Sequence, residues 1–285
     1  MLSDVDVLDL GSDLRLRYRY FMRESLQHPA KLHLGLLAWL IERYTRPGET
    51  IADPMGGIGS TAYAALLQRN VILREIEPKW LNLACKNAAC ITRAAGLFAG
   101  TINLGQADAR EPWGYMADHI LFSPPYGCDA QHKAGTRTRN LADRLSKFDS
   151  RQVRYSQRWS SLAKRATTQQ GAAALFNFAY GDHVAQLGHL RGERYWQAME
   201  QVYTQARSAL HPGGLLILII KDHIRDGMRV QTAEQTVMLC ERLGFTLAAR
   251  HARRVCPLSL WQRRRKERGE PVVEEEDVLV FRGEA

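Results

Sequence analysis

The sequence predicts an α/β fold: a mostly parallel sheet with helices on both faces, interrupted by one long basic insertion. Three observations predict it. Short aliphatic segments alternate with helical patterns along most of the 285 residues. A glycine-rich turn joins the first strand of that series to the helix after it. The pattern fails over 127–192, where the chain turns polar and basic, and then resumes. Strands separated by helices of this length imply a parallel sheet covered on both faces.

The elements follow in order. Residues 32–43 are apolar at helical spacing, and 50–52 form a strand leading into the glycine turn. Residues 60–68, rich in Ala and Leu, read as the next helix. A short buried strand covers 71–73, and Pro78 suits the first turn of a helix running to about Ala95. Residues 100–104 and 119–122 read as two more strands. After the insertion, 193–210 is an amphipathic helix closed by His211-Pro212-Gly213-Gly214, and 215–220 is a central strand. A helix over 232–243 stops at Gly244, and 245–249 and 278–281 complete a seven-stranded sheet. Domain organisation follows: a catalytic body over 1–126 and 193–285, and an insertion over 127–192. An irregular segment that long inside a domain is commonly functional.

Composition excludes several classes. Apolar residues at 45% and charged residues at 24% are globular proportions. The aliphatic run 215–220 is far too short to cross a bilayer, and the acidic N-terminus does not read as a signal peptide. A cytoplasmic protein without membrane contact is expected. The five cysteines form no CxxC pair, so free thiols and no metal site are expected, with Cys85 and Cys90 as core residues of a helix. The net charge of +9 is uneven. Residues 131–165 carry ten basic side chains against two acids, net +8, and residues 250–268 carry +7, leaving −6 elsewhere. Two basic segments on an acidic body point to a polyanion.

Three motifs carry chemistry. In Asp53-Pro54-Met55-Gly56-Gly57-Ile58-Gly59-Ser60-Thr61, the glycines permit a tight turn and close approach to a ligand at a helix start. No Lys follows Gly59, which excludes a P-loop. A dinucleotide fingerprint survives weakly, with Ala62 at the third glycine position. An adenosyl cofactor without a pyrophosphate fits as well. Glu75, after the second strand, is placed to accept both ribose hydroxyls, with Glu77 as competitor. Asp108, after the third, is placed to meet an adenine amino group or to cap its own loop. Ser123-Pro124-Pro125-Tyr126 follows the fourth strand at its carboxyl end, where open α/β sheets bind ligands. Ser123 Oγ and the Pro124 carbonyl are placed to accept hydrogen bonds from an –NH₂ group, and Tyr126 to stack on a base. Lys221-Asp222-His223 ends the central strand near the crevice and ranks behind these. His183, His189 and His223 receive no role.

With these residues in place, the sequence resembles the amino-methylating (N4-cytosine and N6-adenine) DNA methyltransferases, which use S-adenosylmethionine. The nonamer Asp53–Thr61 is similar to the family's DPFxGxGTT, departing at Met55 and Ser60. The tetrapeptide at 123–126 is similar to its catalytic (D/N/S)PP(Y/F). His28-Pro29-Ala30-Lys31 looks like its HP-x-K segment, at a shortened spacing. Residues 275–282 resemble its closing strand. The resemblance implies a Rossmann-like class I methyltransferase fold. It implies cofactor contacts from His28, Pro29, Lys31, Asp53, Pro54, Met55, Gly57, Gly59, Glu75 and Asp108. Catalysis would fall to Ser123, Pro124, Pro125 and Tyr126.

An exocyclic amine is a poor nucleophile because its lone pair is delocalised into the ring. Drawing its protons toward Ser123 and the Pro124 carbonyl frees that lone pair, and positioning does much of the rest. A duplex base must be flipped out to reach the pocket. Ser in place of Asp resembles the N4-cytosine members more than the N6-adenine ones. Arg137, Arg139, Arg144, Arg151, Arg154 and Arg158 are expected to contact double-stranded DNA, with Arg263, Arg264, Arg265 and Lys266 as a second backbone clamp. A cognate restriction endonuclease is a further candidate partner; oligomeric state is not legible. The competing activities are N6-adenine methylation, RNA amino-methylation and a nucleotide-cofactor oxidoreductase.

Overall fold

The computed structural model describes residues 5–28, 30–125, 181, 183–225, 227–255 and 260–283. The insertion's arginines 137–158, and with them Pro29 and Tyr126, lie outside the described residues.

The elements are β1 (Asp6–Leu8), α1 (Leu14–Tyr20), α2 (Leu34–Tyr44), β2 (Thr50–Asp53), a 3₁₀ helix (Ser60–Leu67), β3 (Asn70–Glu75) and α3 (Pro78–Ala95). There follow β4 (Ile102–Gln106), β5 (Ala117–Phe122), α4 (Gly192–Ala209), β6 (Leu210–Ile220), β7 (His223–Arg225) and β8 (Met228–Val230). The chain continues through α5 (Thr232–Arg242), β9 (Phe245–Arg254), α6 (Leu260–Glu267) and β10 (Glu275–Gly283).

Eight strands form the main sheet in the order β1-β9-β10-β6-β5-β2-β3-β4. All neighbours pair parallel except β10, which runs antiparallel to both β6 and β9. The expected seven strands are all present, and β1 adds an eighth at the β9 edge. Its three residues were too few to stand out in sequence. Strand order reverses between β2 and β5, so a crevice opens at their carboxyl ends.

The central strands carry aliphatic side chains on both faces, which is why they read as continuous apolar runs. On β6, Leu216, Leu218 and Ile220 enter one core with α4 and α5. Leu215, Ile217 and Ile219 enter the other with α2 and α3. Phe122, fully buried beside Tyr203 of α4, anchors the end of β5 in the first core.

Four local expectations need correction. The segment after the glycine turn winds as a 3₁₀ helix; left-handed Gly59 and Gln68 bracket it, and Thr61 bonds back to Asp53. The HPGG segment does end α4, but β6 already begins at Leu210. Residues 211–214 bulge out against β5, whose register jumps from Ala117–Leu210 to His119–Leu215. Strand β9 runs on to Arg254, so part of the second basic segment lies within the sheet. Cys85 is exposed and Cys90 half-buried, because the buried face of α3 is Ala84, Asn87, Ala88 and Ile91. Among the described residues no helix is long and apolar enough to cross a membrane.

Candidate active site

A cavity of about 350 Å³ opens along the carboxyl ends of the strands. It brings together most of the residues singled out from sequence. His28, Lys31, Asp53, Pro54, Met55, Gly57, Glu75, Asp108, Ser123 and Pro125 all line it. Gly59 lies behind the lining, where a Cβ would come within 3.0 Å of Ala84. Pro124 is not part of the lining.

The glycine turn is held by two buried carboxylates. Asp53 accepts a bond from the Met55 N–H at 3.0 Å and another from the Thr61 hydroxyl. Burial raises its carboxyl to about 7, against those two bonds and with a smaller contribution from Glu75. Glu75 is the last residue of β3. Its Oε2 accepts the Gly57 N–H at 2.7 Å, and its Oε1 accepts the Glu77 N–H at 2.9 Å. Burial raises this carboxyl too. The Ile76 N–H also bonds to it, so only part of its acceptor capacity remains for a ligand. The competitor Glu77 faces away from the cavity and accepts from His183 N–H and Gln186 Nε2. Gly57 has φ +53°, and a Cβ there would meet His28 Nε2 at 3.2 Å.

His28 packs edge-on against Trp80 at 4.6 Å and contacts the Ala30 carbonyl through Nδ1. Burial lowers its imidazole to about 4, so it is neutral near pH 7. Lys31 folds back on its own turn, donating to the carbonyls of His28 at 2.5 Å and Leu26 at 3.3 Å. Asp108 does cap its own loop: it accepts from the Arg110 N–H and Nε, both at 3.0 Å, and from Nη2 at 2.5 Å.

The turn after β5 is braced from two sides. Ser123 Oγ donates to the Ile219 carbonyl of β6 at 2.9 Å. Its only proton is thereby spent, and its lone pairs are left to accept. Tyr195 of α4 donates its hydroxyl to the Pro125 carbonyl at 2.9 Å.

Sequence reasoning missed several contributors. Asn87, fully buried on α3, donates to the Ile58 carbonyl at 2.7 Å and to Ser25 Oγ at 2.9 Å, and accepts the Met22 N–H at 2.8 Å. It ties the glycine turn to the segment carrying His28. A lone Asn in an amphipathic helix gives no such signal. Ala185, Gln186 and Leu187, at the end of the segment set aside as an insertion, line the cavity wall. Ser60 Oγ is buried at the cavity with no hydrogen-bond partner among the described residues. Lys221, Arg253 and Glu276 line the opposite end.

The second basic segment is more paired than its composition suggests. Arg250 binds Asp277 and Glu234, and Arg253 binds Glu276 at 2.5 Å. On α6, Arg265 pairs with Glu270 at 3.1 Å and Lys266 with Glu274 at 2.6 Å. Arg263 and Arg264 are exposed. Arg265 and Lys266 must therefore leave a carboxylate before they can meet phosphate.

An open sheet of this order, with one antiparallel strand near an edge and an acidic glycine turn at the switch point, is the architecture of the Rossmann-like methyltransferases. These use S-adenosylmethionine. Residues 15–86 match the sequence profile of the family described as DNA methylase. The expected resemblance stands over that segment, from α1 into α3. The Type II methyltransferase M.BglI of Bacillus subtilis is 43% identical over 67 residues, 23% of this chain and 19% of that protein. The match thus spans a fifth of the relative's length. Among solved structures, TrmN from Thermus thermophilus is 19% identical with a TM-score of 0.48, covering 95% of this chain and 53% of its own. A methyltransferase from Pyrococcus furiosus is 12% identical with a TM-score of 0.48, covering 95% and 98%. Strand order, not these likenesses, carries the fold.

Proposed function

We propose that the chain methylates the exocyclic amine of a base flipped out of DNA, with N4 of cytosine favoured. One observation carries the chemistry. Ser123 spends its proton on the Ile219 carbonyl at one end of a cavity whose other end is the glycine turn. An acceptor so oriented draws an amine proton, leaving the nitrogen lone pair free to attack.

The residues present suit S-adenosylmethionine. Glu75 retains acceptors for a ribose. Asp53 supplies negative charge for a cationic ligand, and neutral His28 does not repel one. The buried Ser60 hydroxyl lacks the partner that a polar ligand would provide. The cofactor, when bound, supplies a methyl group activated on a sulfonium. Asp53 and Glu75 would hold it against the turn, Ser123 would orient the amine, and Tyr126 would stack on the base. An amine that had gained the methyl group would carry positive charge on nitrogen, which would be discharged by loss of an amine proton past Ser123 to water. Asp108 also lines the cavity, beside its bond to Arg110, and is the residue nearest in kind to an adenine-amine acceptor.

The test is direct. The protein is incubated with labelled S-adenosylmethionine and unmodified bacteriophage DNA, long enough to contain every short recognition sequence, and the DNA is digested to nucleosides. N4-methylcytosine is expected. N6-methyladenine alone would reverse the base assignment, and labelling of tRNA but not duplex DNA would move the activity to RNA. Calorimetry with S-adenosylmethionine against NAD decides between this reading and an oxidoreductase.

A further inference from the structure

The half of the cavity away from the glycine turn holds a row of charges that the mechanism above leaves unused. Three strands place it. Glu276 of β10 is in register with Arg253 of β9. The β10–β6 pairing ends at Asp277–Ile220, so the next residue on each strand brings Glu276 level with Lys221. Phe122 of β5 pairs with Leu218, which sets Ser123 beside Ile219, the residue whose carbonyl it binds. Lys221 is thus two residues beyond Ser123's level, roughly 7 Å further along the strand direction. It lines the same cavity as Ser123 and Pro125.

The three charges are not equivalent. Arg253 is buried, and its Nε is bound to Glu276 at 2.5 Å while its Nη1 donates to the Arg254 carbonyl. Lys221 is half-buried and makes no hydrogen bond or ion pair among the described residues. Burial lowers its ammonium below the ordinary lysine range; Glu276 opposes that shift and Arg253 adds to it. A partly desolvated ammonium without an acceptor is costly, and an acceptor arriving with the substrate relieves that cost.

The chemistry of the two candidate bases then discriminates. In cytosine, the amine on C4 is separated from the O2 carbonyl by N3 alone. In adenine, the equivalent position across N1 from the amine is a C–H, which accepts nothing. A donor on a flexible stem a few ångströms beyond the amine's acceptor reaches O2 in the first case and faces a C–H in the second.

We propose that Lys221 donates a hydrogen bond to O2 of the flipped cytosine, making it a residue that selects cytosine over adenine at the proposed methyl-transfer site. The inference rests on the function proposed above. Its test compares the wild type with Lys221→Met and Lys221→Arg on unmodified bacteriophage DNA. Methylated nucleosides and kcat/KM are measured, and calorimetry reports S-adenosylmethionine binding as the control for folding. Lys221→Met is expected to lose on the order of 10- to 100-fold in kcat/KM for cytosine, as for a hydrogen bond to a charged group. Cofactor affinity stays unchanged, and Lys221→Arg recovers most of the loss. N4-methylcytosine from the wild type with Lys221→Met within twofold of it overturns the O2 contact alone. A parallel loss of cofactor affinity in Lys221→Met also overturns it, assigning Lys221 to the cofactor. N6-methyladenine from the wild type overturns the base assignment and the O2 contact together.

Discussion

The two halves of the cavity are built differently. At the ends of β2 and β3, the carboxylates and Asn87 are bonded to the protein, with Ser60 Oγ and part of Glu75 left for a ligand. Asp53 holds Met55 and Thr61, Glu75 holds Gly57 and Glu77, and Asn87 holds Ile58. At the ends of β5 and β6, polar groups are left with capacity facing the cavity: Ser123 has acceptors to spare and Lys221 has donors. The first half is a preorganised cradle, whose shape is fixed before a ligand arrives. The second half has hydrogen bonds still to make. A ligand bound identically at every turnover suits the former, and a base that must be chosen suits the latter.

Breaking the second half should cost the most. Ser123→Ala removes the acceptor while the Ile219 carbonyl stays in its strand. A positioned proton-accepting group contributes on the order of 10²- to 10⁴-fold. kcat is expected to fall within that range while S-adenosylmethionine binds with unchanged affinity by calorimetry. A parallel loss of cofactor affinity would merge the two halves and remove the distinction.

Breaking the first half should show the opposite split. Gly57→Ala puts a Cβ at φ +53° and within 3.2 Å of His28 Nε2. A left-handed backbone costs a non-glycine residue about 1–2 kcal/mol. The strain lowers stability in any case; cofactor affinity is expected to drop by as much of it as the free turn relieves by leaving the bound shape, up to roughly 5- to 30-fold. At saturating cofactor kcat should recover. Unchanged affinity with a lowered kcat would mean that the turn shapes the reaction rather than the cradle.

How much of each half was legible follows from the range of its interactions. The glycine turn and the SPPY turn are local signals, because both depend on the backbone preferences of neighbouring residues. Helix α3 was readable for the same reason, from Pro78 in its first turn. The row Lys221–Glu276–Arg253 was not, because three strands far apart in sequence bring it together. The length of β9 was hidden by its own charges: Arg250 and Arg253 read as a basic loop until Asp277 and Glu276 appear opposite them. Cys85 misled because helical periodicity gives the spacing of a face and leaves its direction open.

The cradle can also be sharpened by pH. Asp53 has a carboxyl raised from 3.8 to about 7. For stability, the shift is favourable below pH 3.8 and is lost as pH rises through 7, since the folded state holds the proton more tightly than the unfolded one. For a cationic cofactor the sign reverses, because binding calls for the ionised form. Affinity for S-adenosylmethionine is expected to weaken as pH falls from about 8 to about 6, by less than tenfold per unit for a single proton. His28, at about 4, stays neutral throughout. Asp53→Asn should flatten the profile; a profile unchanged in that variant would assign the titration elsewhere, with Glu75 next in line.

The smallest effect separates the basic residues outside the cavity. Arg263 faces solvent on α6, whereas Arg265 and Lys266 hold Glu270 and Glu274. Surface pairs of this kind contribute about 0–1 kcal/mol each, so they restrain the side chains without stabilising the fold greatly. A paired cation must leave its carboxylate to meet a phosphate, and the exchange recovers little. Each phosphate contact removed should lower the slope of log affinity against log salt by about 0.9. Arg263→Ala is therefore expected to flatten the salt dependence of duplex binding by up to about one contact. Arg265→Ala with Lys266→Ala should flatten it by less per residue, because the released Glu270 and Glu274 add repulsion that is itself screened by salt. An equal loss of slope per residue in the two variants would show that DNA pulls the ion pairs of α6 apart, and that the helix acts as one clamp.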